Sequence, residues 1–203
     1  MELLARPVFY NLQPLILASE SPRRNQLLRS VGLAFEVIPS GIVEGDDPDK
    51  EPGVLVKCRA QEKAQTVSRL YPRSWVLSAD TIVVHQDAIL GKPASADEAA
   101  AILRKLNGQM HQVFSGLCLM RNDPSFMRIG CFRTDVRFRL LSDAEIWAYV
   151  NTGEPFDKAG AYGIQGIGAF LVKSVNGSYT NVVGLPLCEA LEWLIEQQIV
   201  TPA

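Results

Sequence analysis

A single α/β domain is the fold that this sequence predicts, and three observations carry the prediction. Short apolar runs of buried-strand type interleave with amphipathic helical stretches, capping signals punctuate them, and one long segment alternates between apolar and charged side chains. The 203 residues, 47% apolar and 21% charged, suit a globular chain with a sizeable core and not a disordered, collagenous or coiled-coil one. Twenty Lys and Arg stand against 22 Asp and Glu, a net charge of −2, so no overall basic excess argues for nucleic acid. No window approaches the roughly 18 apolar residues of a membrane span, and Met1-Glu2-Leu3-Leu4-Ala5-Arg6-Pro7 lacks the basic-then-apolar pattern of a signal peptide. The expectation is a soluble cytoplasmic protein with neither nucleic acid nor membrane as partner.

Taken in order, Leu15-Ile16-Leu17-Ala18 reads as a buried strand that stops at Ser19-Glu20-Ser21-Pro22. A helix follows: Ser21 suits its N-cap, Pro22 its first position, Leu27, Leu28 and Val31 its apolar stripe, and Gly32 its stop. Phe35-Glu36-Val37-Ile38 returns as a strand. An acidic loop over residues 44–51 precedes a helix over 53–70, patterned by Val54, Leu55, Cys58, Ala64, Val67 and Leu70 and ended by Pro72. Trp75-Val76-Leu77 leads through Ser78-Ala79-Asp80 into the strand Thr81-Ile82-Val83-Val84. Ser95-Ala96-Asp97-Glu98 and Ser142-Asp143-Ala144-Glu145 are capping boxes, and the first opens a helix that closes at Gly108.

Between those helices lie extended segments over 110–121 and 126–140, separated by a turn at Asn122-Asp123-Pro124-Ser125. In the second, Phe132, Thr134, Val136, Phe138 and Leu140 share the face predicted to be buried, and Arg133, Asp135, Arg137 and Arg139 the solvated one. A glycine-rich stretch over 153–168, a turn at Asn176-Gly177 and a closing helix over 187–198 complete the chain. Residues 1–14 are set apart as an extension to a domain over 15–203. The sheet is expected to be at least partly antiparallel.

Cys58, Cys118, Cys131 and Cys188 form no CxxC pair and read as buried, reduced thiols. His85 and His111, 26 residues apart by position, give no metal-ligand spacing. Chemistry concentrates elsewhere. Arg23 and Arg24 fall in the first turn of a helix, where the dipole disfavours cations unless an anion is bound. With Ser19 and Ser21 they form a polyphosphate site, or else they are two exposed arginines beside a serine cap. Asp80 is one acid in an apolar strand, suited to a hydrogen-bonded structural role or to holding Mg²⁺ and orienting water. Glu44, Asp46 and Asp47 offer a second carboxylate or ordinary loop charge. Lys92, in a tight turn, and Lys63, on the second helix, are either plain surface lysines or contacts for phosphate. Neither G-x-x-x-x-G-K-[ST] nor G-x-G-x-x-G occurs. The glycines of Gly160-Ala161-Tyr162-Gly163-Ile164-Gln165-Gly166-Ile167-Gly168 either form a structural glycine-rich turn or permit close approach to a flat ligand, in which case the Gln165 amide can pair with a uracil or thymine imide. These are parts of a nucleotide site.

Four blocks together resemble the Maf family of nucleoside triphosphate pyrophosphatases. They are Ala18-Ser19-Glu20-Ser21-Pro22-Arg23-Arg24; Ala79-Asp80-Thr81-Ile82-Val83 with Gly91-Lys92-Pro93; the run from Gly153-Glu154-Pro155-Phe156-Asp157-Lys158 to Gly166; and Asn176-Gly177-Ser178-Tyr179 with Val183-Gly184-Leu185-Pro186-Leu187. The resemblance implies an elongated mixed sheet flanked by helices, a cleft between two lobes and kinship with inosine triphosphate pyrophosphatases. It further implies hydrolysis of a nucleotide to monophosphate and pyrophosphate with a divalent cation, Mg²⁺ or Mn²⁺. Asp80 matches the family's proton acceptor, with Lys92 as a second catalytic residue; Asp80 and Glu44 would hold the metal. Ser19, Arg23, Arg24, Lys63, Thr81 and Gln165 would bind substrate, and Arg23, Thr81 and Gln165 influence its choice. Gln165 places the chain with the dTTP and UTP subgroup and not with the 7-methyl-GTP subgroup. A nucleotide-binding regulator of cell division is the competing reading. A homodimer, if formed, would use the polar face of residues 133–139.

Overall fold

The computed structural model describes residues 7–42 and 50–203. Nine strands are described: β1 Phe9–Asn11, β2 Leu15–Leu17, β3 Glu36–Val37, β4 Trp75–His85, β5 Ala88–Leu90, β6 Met110–Arg121, β7 Phe126–Phe138, β8 Val172–Asn176 and β9 Val200–Pro202. Six α-helices accompany them: α1 Pro22–Ser30, α2 Pro52–Leu70, α3 Ala96–Leu106, α4 Asp143–Val150, α5 Tyr179–Val183 and α6 Leu187–Glu196. Three short 3₁₀ turns, Glu154–Asp157, Ala159–Ala161 and Ile167–Leu171, occupy the glycine-rich stretch.

The main sheet runs β3-β2-β4-β6-β7-β8, with β5 hairpinned onto β4. It is mixed: β3, β2 and β4 are parallel, and β4, β6, β7 and β8 antiparallel. Strand β4 organises the molecule. Its even-numbered residues face α2, where Val76 packs with Ala60 and Ala64, and Ile82 and Val84 pack with Leu55 and Val56. The odd-numbered face is covered twice. Trp75, Leu77 and Ala79 join α1 and α6 through Leu27, Leu28, Trp193 and Leu194, while Val83 joins α3 and α4 through Leu103, Leu106, Ile146 and Tyr149. Two helix layers on one long strand leave a gap between them, and Asp80-Thr81 lies at that gap.

Local chemistry explains the element ends. Ser21 caps α1 and Pro22 occupies its first turn. Ser142 and Glu145 form a reciprocal capping box on α4. At α3 only half of the expected box is present: Ser95 accepts from the Glu98 N–H, but the Glu98 carboxylate turns to the Ala94 N–H at 2.7 Å.

Several expectations are corrected. The presumed lead-in and strand at 75–84 are one continuous 11-residue strand. Leu70 and Leu140, placed on buried faces, are 71% and 80% exposed because each lies at or beyond the end of its element, where nothing packs over it. Only Cys118 is buried among the free cysteines; Cys58 and Cys131 are half-buried and Cys188 is exposed. The turn expected at Asn176-Gly177 is present and joins β8 to α5. Residues 9–11, within the segment set apart as an extension, pair antiparallel with 200–202.

Candidate active site

A cleft of about 570 Å³ opens where the two helix layers separate, within the size range of small-molecule sites. Its walls come from widely separated stretches of chain: Arg23, Arg24 and Gln26 from α1; Asp80, Thr81 and Val83 from β4; Lys92 from the turn after β5; Glu154, Asp157 to Ala159 and Tyr162 to Gly166 from the glycine-rich stretch; and Val182 to Gly184 at the end of α5.

Asp80 is 3% exposed and sits on the α2 side of β4. Lys63 Nζ donates to its Oδ1 at 2.6 Å, and Arg59 Nη1 lies 3.7 Å from Oδ2. Oδ2 itself has no hydrogen-bond partner among the described residues. A buried oxygen of this kind is costly unless something engages it. Lys63 therefore stands behind the cleft wall and supports Asp80, which differs from the direct phosphate contact expected of it. Arg59 is not among the sequence candidates, although it sits four residues before Lys63 and so on the same helical face.

Thr81 points to the opposite side. Its hydroxyl donates to the Gly184 carbonyl at 3.2 Å and shares a 2.8 Å hydrogen bond with Ser115. Arg24, buried, fans over this wall: Nε donates to the Gly184 carbonyl, Nη1 to Ser19 Oγ at 2.9 Å and Nη2 to Thr81 Oγ1 at 3.2 Å. Ser19 lies beneath Arg24 and not at the cleft surface. Arg23 reaches across the cleft to Asp157, Nη1 to Oδ2 at 2.7 Å, and Lys158 Nζ meets the other oxygen at 2.6 Å. Burial alone would raise the Asp157 carboxyl, but those bonds to Lys158 and Arg23 outweigh it and hold the pKa below the ordinary value.

Lys92 is exposed at the rim, in a turn tethered by the Gly160 N–H to the Gly91 carbonyl at 3.0 Å. Gln165 is exposed on the far wall, its amide 3.4 Å from Gln26 Oε1. Glu44, with Asp46 and Asp47, lies outside the described residues. Asp80, Thr81, Arg23, Arg24, Lys92 and Gln165 thus line one cleft, with Lys63 and Ser19 directly behind it. Glu154, Asp157 and Lys158 share that lining without having been singled out as site candidates; their signal in the sequence is three charges packed between the turns at Gly153 and Gly160.

No group of three or more His, Cys, Asp or Glu side chains among the described residues is arranged to hold a metal ion. The donor chemistry still fits a hard cation carried in with substrate. Mg²⁺ is commonly bound by one or two carboxylates plus phosphate oxygens and water, and Asp80 is the carboxylate among the cleft-lining residues that would offer one. His111 belongs to the wall's support and not to a metal site: it is buried, its Nε2 lies 2.8 Å from the hydroxyl of the cleft residue Tyr162, and desolvation, then His85, lower its pKa to about 4. No helix among the described residues is long and apolar enough to cross a membrane.

Comparison with known proteins identifies relatives of the chain. The Maf-like protein family model matches residues 14–197. A dTTP/UTP pyrophosphatase of Geobacillus sp. (strain WCH70) is 48% identical over 176 residues, 87% of this chain and 94% of its own length. Another of that name from Halalkalibacterium halodurans is 49% identical over 183 residues, 90% of this chain and 95% of its own. Among solved structures, the Staphylococcus aureus Ham1 protein aligns at a TM-score of 0.42 and 12% identity, over 62% of this chain and 72% of that one. With the family model spanning every segment that lines the cleft, and relatives near half identity along almost their whole length, this chain belongs to the Maf family.

Proposed function

We propose that the chain hydrolyses dTTP and UTP to the nucleoside monophosphate and pyrophosphate. The observation that carries this reading is the convergence, in one cleft, of Arg23 and Lys92 for phosphates, Asp80 for water, and Gln165 for a base. The relatives named dTTP/UTP pyrophosphatase support the same substrate class.

Water attacks the α-phosphorus, a new P–O bond forms, the bridging bond to the β-phosphate oxygen breaks, and pyrophosphate leaves. Asp80, held through Oδ1 by Lys63, is the acid among the cleft-lining residues that would accept the proton or orient that water. Lys92 and Arg23 meet the charge on the triphosphate, and Arg24 stiffens the wall that carries Thr81. Reaching that role requires Arg23 to leave Asp157 for phosphate oxygens, an exchange of one anionic partner for another. Asp80 would hold a divalent cation, Mg²⁺ or Mn²⁺, taken up with the highly charged triphosphate. When bound, such an ion supplies charge neutralisation and an activated water.

The test is a product assay with Mg²⁺ or Mn²⁺ on dTTP, UTP, CTP, dATP, GTP and 7-methyl-GTP. Monophosphate and pyrophosphate from dTTP and UTP are expected, and Asp80→Asn should lower kcat by roughly 10²-fold or more while its thermal unfolding stays cooperative. Products from 7-methyl-GTP alone would overturn the specificity; wild-type turnover by the variant would overturn the role of Asp80.

A further inference from the structure

The glycine-rich stretch contains a clasp that bonds to the loop carrying Gln165. Glu154 Oε2 accepts from the Ile167 N–H at 2.8 Å, and its Oε1 accepts from the Gly168 N–H at 2.9 Å and from the Tyr149 hydroxyl at 2.8 Å. The same Tyr149 oxygen accepts from the Gly163 N–H at 3.1 Å. Two side chains from outside the loop thus grip the backbone on both sides of Gln165, at Gly163 before it and at Ile167 and Gly168 after it.

The glycine spacing follows from this grip. A Cβ at Gly166 would overlap the Glu154 carboxylate, one at Gly163 would come within 2.6 Å of Lys158 Cε, and one at Gly168 within 2.5 Å of the Tyr149 hydroxyl. These glycines make room for Glu154, Lys158 and Tyr149. Gln165 itself is exposed, and its side-chain hydrogen bond among the described residues is the long one to Gln26. Its own interactions hold it weakly, so its position is inherited from the backbone.

We infer that Glu154, with Tyr149, is a positioning residue for substrate choice: it fixes the 163–168 loop so that the Gln165 amide meets the base in one orientation. The inference rests on Gln165 reading the base. An amide that must satisfy a donor and an acceptor together discriminates only when both are aligned, and loosening its backbone costs discrimination before it costs phosphate chemistry.

The experiment compares kcat/KM for UTP and CTP, two pyrimidines that differ at the hydrogen-bonding edge, in the wild type, Glu154→Gln, Tyr149→Phe, Gln165→Ala and the Glu154→Gln/Gln165→Ala pair, with amide hydrogen exchange over residues 163–168. Expected are a UTP/CTP ratio lowered roughly tenfold in Glu154→Gln and less in Tyr149→Phe, faster exchange in the loop, and a double variant no worse in ratio than Gln165→Ala alone. A lowered ratio in Gln165→Ala with an unchanged one in Glu154→Gln and Tyr149→Phe would overturn the positioning role and leave the base reading standing. Unchanged exchange in both clasp variants would overturn the clasp. An unchanged ratio in Gln165→Ala would overturn the base reading, and the claim on specificity with it. Should Glu154→Gln fail to fold, Tyr149→Phe, which removes one hydroxyl, tests the same clasp.

Discussion

Glu154 shows at the residue scale how burial and hydrogen bonding compete. Burial raises its carboxyl pKa, yet the Gly168 N–H, the Tyr149 hydroxyl, the Ile167 N–H and the nearby Lys158 together outweigh that and lower it. A carboxyl whose folded pKa is depressed contributes stability that is present above the unfolded value of about 4.3 and is lost as pH falls through the folded value. The stability gap between wild type and Glu154→Gln should therefore be full at neutral pH and shrink as the medium is acidified below about pH 4. Thermal unfolding of both proteins across roughly pH 3 to 7 checks this; a gap constant over that range would refute it. The same residue marks where sequence reading stops. A single acid in an apolar strand announces Asp80, because burial of a lone charge is expensive. Glu154, among exposed-looking charges and turns, announces nothing until its backbone partners 13 and 14 residues later are seen.

At the scale of elements, the contact between α2 and β6 decides whether Asp80 has its cations. Gly116 of β6 lies directly opposite Asp80 of β4, on the face that α2 covers. A Cβ there would overlap the Val56 carbonyl, so the missing side chain lets α2 lie close enough for Lys63 and Arg59 to reach the carboxylate. Gly116→Ala should cost about 1–3 kcal/mol of stability by overpacking and lower kcat, since α2 must move away from β4. Denaturant unfolding and turnover measured together test this, and unchanged values of both would refute it. The helix and its apolar face were legible from Leu55, Ala64 and Val67, whose spacing needs only local periodicity. That its polar residue Lys63 is buried was not, because the reason is a carboxylate 17 residues away on another element.

For the whole molecule, the two-stranded pairing of β1 with β9 closes the outer edge of the α1/α6 layer. The Leu12 N–H donates to the Ile199 carbonyl at 2.7 Å, and Phe9 packs on the cluster that contains Ile199 and Val200. Removing residues 1–12 should destabilise the protein by about 3 kcal/mol, lowering Tm by roughly 6–12 °C, while kcat at low temperature holds because β1 contributes nothing to the cleft wall. An unchanged Tm would mean that the pairing carries no stability. Sequence by itself determined the class of fold, the helix caps at Ser21 and Ser142, and the residue types of a nucleotide site, since each depends on local periodicity, local hydrogen bonding or the cost of an isolated charge. Only the tertiary structure decided that Lys63 supports Asp80, that Arg24 braces Thr81 while Arg23 crosses to Asp157, and that the glycines around Gln165 accommodate Glu154 and Tyr149. Those relations join residues distant in the chain, and their energies come from burial and alignment that exist only once β4 has two helix layers packed on one face and α2 on the other.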